Sequence, residues 1–293
     1  MSALSAWRAR AIAQLIGVGV SEAEATEGCV WLLEDLAGLN RATQVTRPDL
    51  ALSEQVVTLL NEALERRLRR EPLSHILGSW SFWGLDFKVS RAVLTPRPDT
   101  EVLVEEALTW LKGTSSEVEL IVDVCSGTGC VGLALASERA ERVLLIELCE
   151  EACVVLKDNA RALNDQGLLR ATVELRQGSL LAPLLKSERP LLIVSNPPYI
   201  ERAELAELMP EVRDFEPHLA LDGGEDGLDL VRELVIDGYK ALKPGGALMM
   251  EVGWRQTECV SALYQEAGFQ GVRVRRDYGG NPRVVIGEKP SSA

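Results

Sequence analysis

From about residue 118 onward, the hydrophobic positions follow two alternating patterns. Short apolar runs, VELIVDV (118–124), RVLLIEL (142–148) and PLLIVSN (190–196), have the length of buried strands. The segments between them, such as EEACVVLKDNARALN (150–164), repeat apolar residues at helical spacing. The stretch GVRVRRDYGGNPRVVIGE (271–288) contains two strands around a glycine-rich turn, which favours antiparallel pairing. The alternation predicts an α/β fold with a mostly parallel sheet, helices on both faces and an antiparallel C-terminal hairpin.

The first 78 residues have only the helical pattern. One predicted helix begins with Ser21 and Glu24 at capping-box spacing and ends near Gly38. We interpret the cluster RRLRR at 66–70 as the solvated face of a second helix; a docking surface for an acidic partner is the alternative. That second amphipathic stretch, 52–72, places five apolar residues on one face: Val56, Leu59, Leu60, Ala63 and Leu64.

A short region connects the helical and α/β parts. Aromatic and apolar residues alternate around Gly84, which predicts a hairpin. The proline-rich TPRPDT that follows is a stiff linker, and its Asp99 or Thr100 is placed to cap the next helix. We therefore divide the chain into a helical N-terminal domain (residues 1–78), a hairpin and linker (79–97) and an α/β domain (98–293).

The composition of the chain argues against several classes of function. The formal net charge of −13 argues against wide, sequence-independent wrapping of nucleic acid, which needs a basic surface. No apolar run reaches the ~18 residues that cross a bilayer, and no signal-peptide pattern opens the chain, so we expect a cytoplasmic protein without a membrane partner. The six cysteines include no C-x-x-C pair, and we expect no metal site.

A glycine-rich loop follows the first strand of the α/β part. In DVCSGTGCVG (123–132), Gly127 and Gly129 allow the backbone to come close to a ligand at the N-terminus of the next helix. Glu147 ends the second strand, where a carboxylate can accept hydrogen bonds from both hydroxyls of a ribose. These residues indicate an adenosine-containing cofactor.

The glycine-rich loop alone is compatible with two different cofactors. Gly127, Gly129 and Gly132 satisfy the dinucleotide pattern G-x-G-x-x-G, so an NAD-dependent oxidoreductase is one reading. The loop also suits S-adenosylmethionine, with Asp123 facing the ammonium side of its amino-acid end.

The tetrapeptide NPPY (196–199), at the end of the apolar run PLLIVSN, favours the second reading. Prolines have no N–H and fix the backbone, and Asn196 before a proline is held extended. The Asn196 side-chain oxygen and the Pro197 carbonyl can then accept hydrogen bonds from one planar NH₂ group, with Tyr199 against its plane. Two such acceptors stabilise the charge that develops on a poorly nucleophilic nitrogen as it attacks a methyl sulfonium.

Beyond these motifs, the sequence resembles the N5-glutamine methyltransferases that act on peptide chain release factors. The resemblance covers most of the chain and includes EPLSHILG (71–78), FWGLDF (82–87), LTPRPDTEVLVE (94–105), EVRDFEPHLALDGGEDGL (211–228), KPGGALMMEVGWRQ (243–256) and RDYGGNPRVVIG (276–287).

This resemblance implies a Rossmann-like, S-adenosylmethionine-dependent methyltransferase domain, preceded by a helical N-terminal domain that engages the substrate. The implied reaction is methyl transfer to the glutamine side-chain amide in the Gly-Gly-Gln motif of class I release factors, which modulates translation termination. A nucleic-acid methyltransferase acting on adenine N6 or guanine N2 is the alternative, although we expect no direct nucleic-acid partner. A non-catalytic protein with a degenerate cofactor site is a further alternative.

The motifs and the resemblance together assign the site. The substrate residues are Asn196, Pro197, Pro198 and Tyr199, and the catalytic ones among them are Asn196, Pro197 and Tyr199. Cys125 stands where the family usually has a glycine, and Ser179 where it usually has an aspartate. The cofactor residues are Asp123, Cys125, Ser126, Gly127, Thr128, Gly129, Glu147, Ser179, Leu180 and Asn196.

Overall fold

The computed structural model describes residues 2–114 and 116–291. In chain order, its α-helices are α1 (Leu4–Gly17), α2 (Glu22–Ala37), α3 (Arg41–Thr46), α4 (Glu54–Leu68), α5 (Leu73–Leu77), α6 (Glu101–Gly113), α7 (Cys130–Glu138), α8 (Glu150–Asp165), α9 (Pro210–Arg213), α10 (Asp229–Ala241) and α11 (Thr257–Ala267). Its strands are β1 (Ser2–Ala3), β2 (Ala51–Leu52), β3 (Ser79–Phe82), β4 (Leu85–Lys88), β5 (Leu120–Val124), β6 (Arg142–Glu147), β7 (Val173–Gln177), β8 (Leu192–Ser195), β9 (Ala247–Glu251), β10 (Gln270–Arg276) and β11 (Pro282–Glu288).

The chain forms two compact units. The helical unit contains the residues up to Gly78 together with Met209–Phe215, and the α/β unit contains Ser79–Leu208 and the residues from Glu216 onward. Residues 209–215 lie within the α/β domain predicted from the sequence (98–293) but belong to the helical unit of the structure. The hairpin β3–β4 belongs to the α/β unit, and its turn is at Gly84, as the alternation predicted.

Helices α1, α2 and α4 build the core of the helical unit. Ser21 is the N-cap of α2, because its hydroxyl accepts a hydrogen bond from the backbone N–H of Glu24 at 3.3 Å, whereas the Glu24 carboxylate pairs with Arg67. On α4, Leu60 and Leu64 are buried as predicted, whereas Leu59 is 42% exposed. Adjacent helix positions lie about 100° apart, so Leu59 turns away from the face that Leu60 buries.

The arginine cluster at the end of α4 is mostly not a solvated face, so that interpretation was wrong. Arg67 is buried, and its guanidinium donates to Glu211 of α9 at 2.7 Å and also pairs with Glu24. Arg70 makes two further hydrogen bonds to the Glu211 carboxylate, at 2.6 and 2.7 Å. The acidic partner lies more than 140 residues further along the chain, so spacing within α4 could not reveal it.

The α/β unit is a seven-stranded sheet covered on both faces. Its strand order is β10-β11-β9-β8-β5-β6-β7; β9, β8, β5, β6 and β7 run parallel, and β11 is antiparallel to both of its neighbours. Buried side chains of α6, α7 and α8 pack on one face, and those of α10 and α11 pack on the other. This arrangement confirms the predicted fold. No helix in the described ranges has the length and apolar character that crossing a bilayer requires.

We expect Glu211→Ala to destabilise the helical unit, because it leaves the buried Arg67 and the half-buried Arg70 without their shared carboxylate. Breaking a buried ion pair costs about 3–5 kcal/mol, and we expect the lower end because Arg67 keeps Glu24. Urea denaturation followed by circular dichroism measures this change. The matched control is Glu62→Ala on the exposed face of α4, which should shift stability by less than ~0.5 kcal/mol; equal effects of the two variants would contradict the ion-pair argument.

Candidate functional site

A cavity of about 1040 Å³, part of it open to solvent, lies at the carboxyl ends of the parallel strands. The glycine loop after β5 and the ends of β6 and β8 form one side of it. Residues 92–97 and 178–180 also line it, as do Pro217, Leu219 and Ala220. Ligands of open α/β sheets bind at this edge, where the connections leave the strands.

Most of the predicted site residues meet in this cavity. From the cofactor set, those that line it are Asp123, Cys125, Ser126, Gly127, Thr128, Glu147, Ser179, Leu180 and Asn196. Gly129 is not among the lining residues, and a Cβ added there would be 2.9 Å from a methyl carbon of Leu133. Of the NPPY residues, Asn196 and Pro198 line the wall, whereas Pro197 and Tyr199 do not.

The glycine loop has a tightly curved backbone. Gly127 and Gly129 have φ values of +54° and +81°, and Cys125 has +60° although it is not a glycine. Two carboxylates hold this backbone: Gly127 N–H donates to Glu147 at 2.8 Å, and Gly132 N–H donates to Asp123 at 2.9 Å. The position of a Cβ on Gly127 is open space, so a ligand can contact the backbone there.

The two carboxylates differ in their surroundings. Glu147 accepts one backbone hydrogen bond on each oxygen, from Gly127 and Cys149, and a carboxylate retains further lone pairs for a ligand. Asp123 is fully buried, and this burial raises its pKa to about 7, although the hydrogen bond from Gly132 acts in the opposite direction. Burial also raises the pKa of the Cys125 thiol to about 12, so this thiol remains protonated at neutral pH.

The NPPY side chains make two specific contacts. Asn196 Nδ2 donates to Thr100 Oγ1 at 3.3 Å, which leaves the amide oxygen as an acceptor. The Tyr199 hydroxyl donates to Glu251 Oε1 at 3.1 Å. The sequence predicted Asp99 or Thr100 as the cap of α6; Thr100 is at the N-cap position, but its side chain makes no capping hydrogen bond. Its hydroxyl faces Asn196 instead.

Sequence reasoning missed several residues that shape the wall. Arg97 makes two hydrogen bonds to the buried Glu216, at 2.8 and 2.7 Å, and thereby fixes the segment that we had interpreted as a linker. Asn159 of α8 donates to the Thr128 carbonyl at 3.0 Å and accepts from Lys88 N–H at 2.7 Å, so it connects the glycine loop to the hairpin. Arg97 and Glu216 lie in the segments 94–105 and 211–228, which carry the family resemblance, but nothing in their spacing indicates that they pair.

A side-chain hydrogen bond also fixes the backbone at the last residue of the tetrapeptide, Tyr199. Gln256 Nε2 donates to the Tyr199 carbonyl at 2.8 Å, while its Oε1 accepts from Gly253 N–H. An added Cβ on Gly227, which has φ of +74°, would lie 2.4 Å from the same Tyr199 carbonyl. Only a glycine fits this close approach.

Solved structures share this fold. A methyltransferase from Pyrococcus furiosus aligns with a TM-score of 0.51 at 17% identity, over 77% of this chain and 98% of that one. The catalytic domain of hMettl16 aligns with a TM-score of 0.55 at 15% identity, over 88% of this chain and 90% of that one. At these identities the likeness concerns the fold alone.

Sequence comparisons are more specific. Residues 6–78 match the family model described as PrmC N-terminal domain, and residues 79–219 match the one described as Conserved hypothetical protein 95. The release factor glutamine methyltransferase of Caulobacter vibrioides is 42% identical over 88% of this chain and 87% of its own length. The protein of that name from Cereibacter sphaeroides is 36% identical over the full length of both chains. With the glycine loop and NPPY meeting in one cavity, these relatives show that the chain belongs to the release factor glutamine methyltransferase family.

Proposed function

We propose that this protein transfers a methyl group from S-adenosylmethionine to the side-chain amide nitrogen of the glutamine in the Gly-Gly-Gln motif of class I release factors. The observation that carries the proposal is the position of Asn196 in the same cavity as the glycine loop and Glu147. This position puts an amide acceptor beside the predicted cofactor site. The names of the relatives support release factors as the substrate.

The residues of the cavity fit S-adenosylmethionine. Glu147 is a buried carboxylate with acceptor capacity for the ribose hydroxyls, and the open space beside Gly127 admits a ligand against the backbone. Leu180 and the other apolar residues of the wall suit an adenine ring. When bound, this cofactor supplies an electrophilic methyl group on a sulfonium.

The chain's own residues have to position and polarise the glutamine amide. The Asn196 oxygen can accept one amide hydrogen, and the Pro197 carbonyl, which belongs to a backbone stiffened by two prolines, is the second acceptor in this proposal. Fixed acceptors stabilise the positive charge that develops on nitrogen and aim its lone pair. The proton becomes acidic only after transfer, so no strong base is needed before it.

A nucleic-acid amine methyltransferase would use the same loop and tetrapeptide. The net charge of −13 and the names of the relatives both favour a protein substrate. Incubation of the protein with S-adenosylmethionine and either release factor or structured RNA, followed by mass spectrometry, separates the two functions. We expect a gain of one methyl on the glutamine of the factor; methylated RNA with unmodified factor would overturn the proposal.

We expect Asn196→Ala to lower kcat for release factor methylation by a factor of roughly 10²–10³. Loss of one preorganised hydrogen-bonding group in an active site typically reduces kcat by this much. The measurement is turnover at saturating cofactor, with cofactor affinity determined separately by calorimetry. Asn196→Asp keeps an acceptor oxygen, so it should be more active than Asn196→Ala if acceptance alone matters. Near-normal turnover of Asn196→Ala would show that NPPY is only a turn.

We expect Glu147→Ala to weaken S-adenosylmethionine binding. Each lost hydrogen bond to a charged group is worth about 1.5–3 kcal/mol, which corresponds to roughly 10- to 150-fold in Kd. Calorimetry measures the Kd, and Glu150→Ala, an exposed carboxylate at the start of α8, is the control that should leave it almost unchanged. Equal Kd values for Glu147→Ala and the unmodified protein would remove Glu147 from the cofactor site.

We also propose that residues 1–78, the larger part of the helical unit, engage the release factor, which is supported by the match of residues 6–78 to the PrmC N-terminal domain. Hydrogen exchange of the full chain, with and without release factor, tests this without truncation. We expect the backbone amide hydrogens of one or more of the helices α1–α5 to exchange more slowly when the release factor is present. Protection confined to residues 79–208 and 216–291 would assign the helical unit a structural role.

A further inference from the structure

The NPPY tetrapeptide is a stiff segment whose two ends are held by groups outside the proposed reaction. Asn196 and Pro197 each precede a proline, which disfavours the helical region for both residues and keeps them extended. At the start of the segment, Ser195 pairs with strand β9 in the sheet. The places of the Asn196 amide and the Pro197 carbonyl therefore depend on how the other end, at Tyr199, is fixed.

Gln256, immediately before α11, holds the main chain at that other end. Its Nε2 donates to the Tyr199 carbonyl at 2.8 Å, and its Oε1 accepts from Gly253 N–H at 2.9 Å. A carbonyl can only accept and an N–H can only donate, so these two partners together fix the orientation of the carboxamide. Glutamine supplies a donor and an acceptor at this length, whereas an ionised glutamate supplies acceptors alone.

The loop at 221–227 holds the residue that follows the tetrapeptide. Ile200 N–H donates to the Leu221 carbonyl at 3.0 Å, and Gly223 N–H donates to the Ile200 carbonyl at 2.9 Å. These two hydrogen bonds form a short parallel pairing between the chain that leaves NPPY and this loop. The loop therefore lies directly beside the exit of the tetrapeptide.

Gly227, the last residue of that loop, lies against the hydrogen bond between Gln256 and Tyr199. A Cβ added to Gly227 would be 2.4 Å from Gln256 Nε2 and equally 2.4 Å from the Tyr199 oxygen. Any side chain at this position would have to displace the donor or the acceptor of that bond. All of these residues belong to the α/β unit.

We propose that Gln256 is a positioning residue, which holds the NPPY backbone where the Asn196 oxygen and the Pro197 carbonyl meet the substrate amide. Gly227 permits the contact, because its missing side chain leaves room for the carboxamide at the Tyr199 carbonyl. Gln256 is not among the residues that line the cavity, so it acts through the tetrapeptide and not on the substrate. This inference rests on the proposed function, which assigns the two acceptors to the glutamine amide.

Gln256→Glu tests the contact, because glutamate keeps the length of glutamine and can accept from Gly253, but its carboxylate cannot donate to Tyr199. We expect kcat for release factor methylation at saturating cofactor to fall about 10- to 100-fold, between the effect of one lost hydrogen bond and that of a displacement of about 1 Å. Turnover is divided by the number of S-adenosylmethionine sites that calorimetry counts, so unfolded protein does not lower kcat. The Kd for this cofactor should stay within about threefold of its original value.

Gln265→Glu is the matched control, since it makes the same change at an exposed position of α11. Its kcat should stay within about twofold of the unmodified protein, as expected for a surface substitution. Full kcat in Gln256→Glu would overturn the proposal, and so would equal losses in the two variants.

Gly227→Ala disturbs the same contact from the opposite side, and we expect kcat per cofactor site to fall at least about tenfold. Gly271→Ala is its control. Gly271 has φ of +60°, so alanine is strained there as well, but a Cβ at Gly271 has no described atom within 4 Å. Gly271→Ala should therefore keep its kcat, and equal kcat values for the two alanine variants would contradict the proposal.

A double-mutant cycle with Asn196→Ala shows whether Gln256 acts through the tetrapeptide. One of the two positioned acceptors is already absent in Asn196→Ala, so the loss caused by Gln256→Glu should be at least about threefold smaller in this background. The same fractional loss in both backgrounds would overturn the proposal. Failure of the unmodified protein to methylate release factor would instead overturn the proposed function, so the two failures are distinguishable.

Discussion

Parallel pairing of β5, β8 and β9 is the constraint on which the site depends. Asp123 of β5 pairs with Val194 of β8, and Ser195 of β8 pairs with Met250 of β9. The glycine loop, the NPPY tetrapeptide and Glu251 therefore emerge at the same edge of the sheet. Because side chains alternate between the two faces of a strand, a slip of one residue in this register would send each of these groups to the opposite face.

The parts of the site that the sequence predicted share one property: they are contiguous in the chain. The glycine loop and NPPY each follow a buried apolar strand, so spacing and residue type were sufficient. The helical N-terminal part and the α/β alternation were predictable for the same reason, since hydrophobic periodicity is a local signal.

The parts that the sequence did not predict are contacts between distant segments. Arg97 meets Glu216 across 119 residues, and Asn196 meets Thr100 across 96. Arg97 had a local explanation as part of a linker and Thr100 as a helix cap, and only the folded chain shows their partners. Arg67 gave the same result in the helical unit, where a residue interpreted as solvated lies buried against Glu211.

The segment Met209–Phe215 gives the two units a connectivity that a simple tandem of domains does not have. The polypeptide passes from one unit to the other after Gly78, again after Leu208, and returns before Glu216. A single crossover in the gene near codon 78 would therefore separate Arg67 and Arg70 from Glu211, the carboxylate that they share. If homologous enzymes exchange their helical units, residues 1–78 and 209–215 have to be exchanged together. We therefore expect these two segments to evolve as one inherited module.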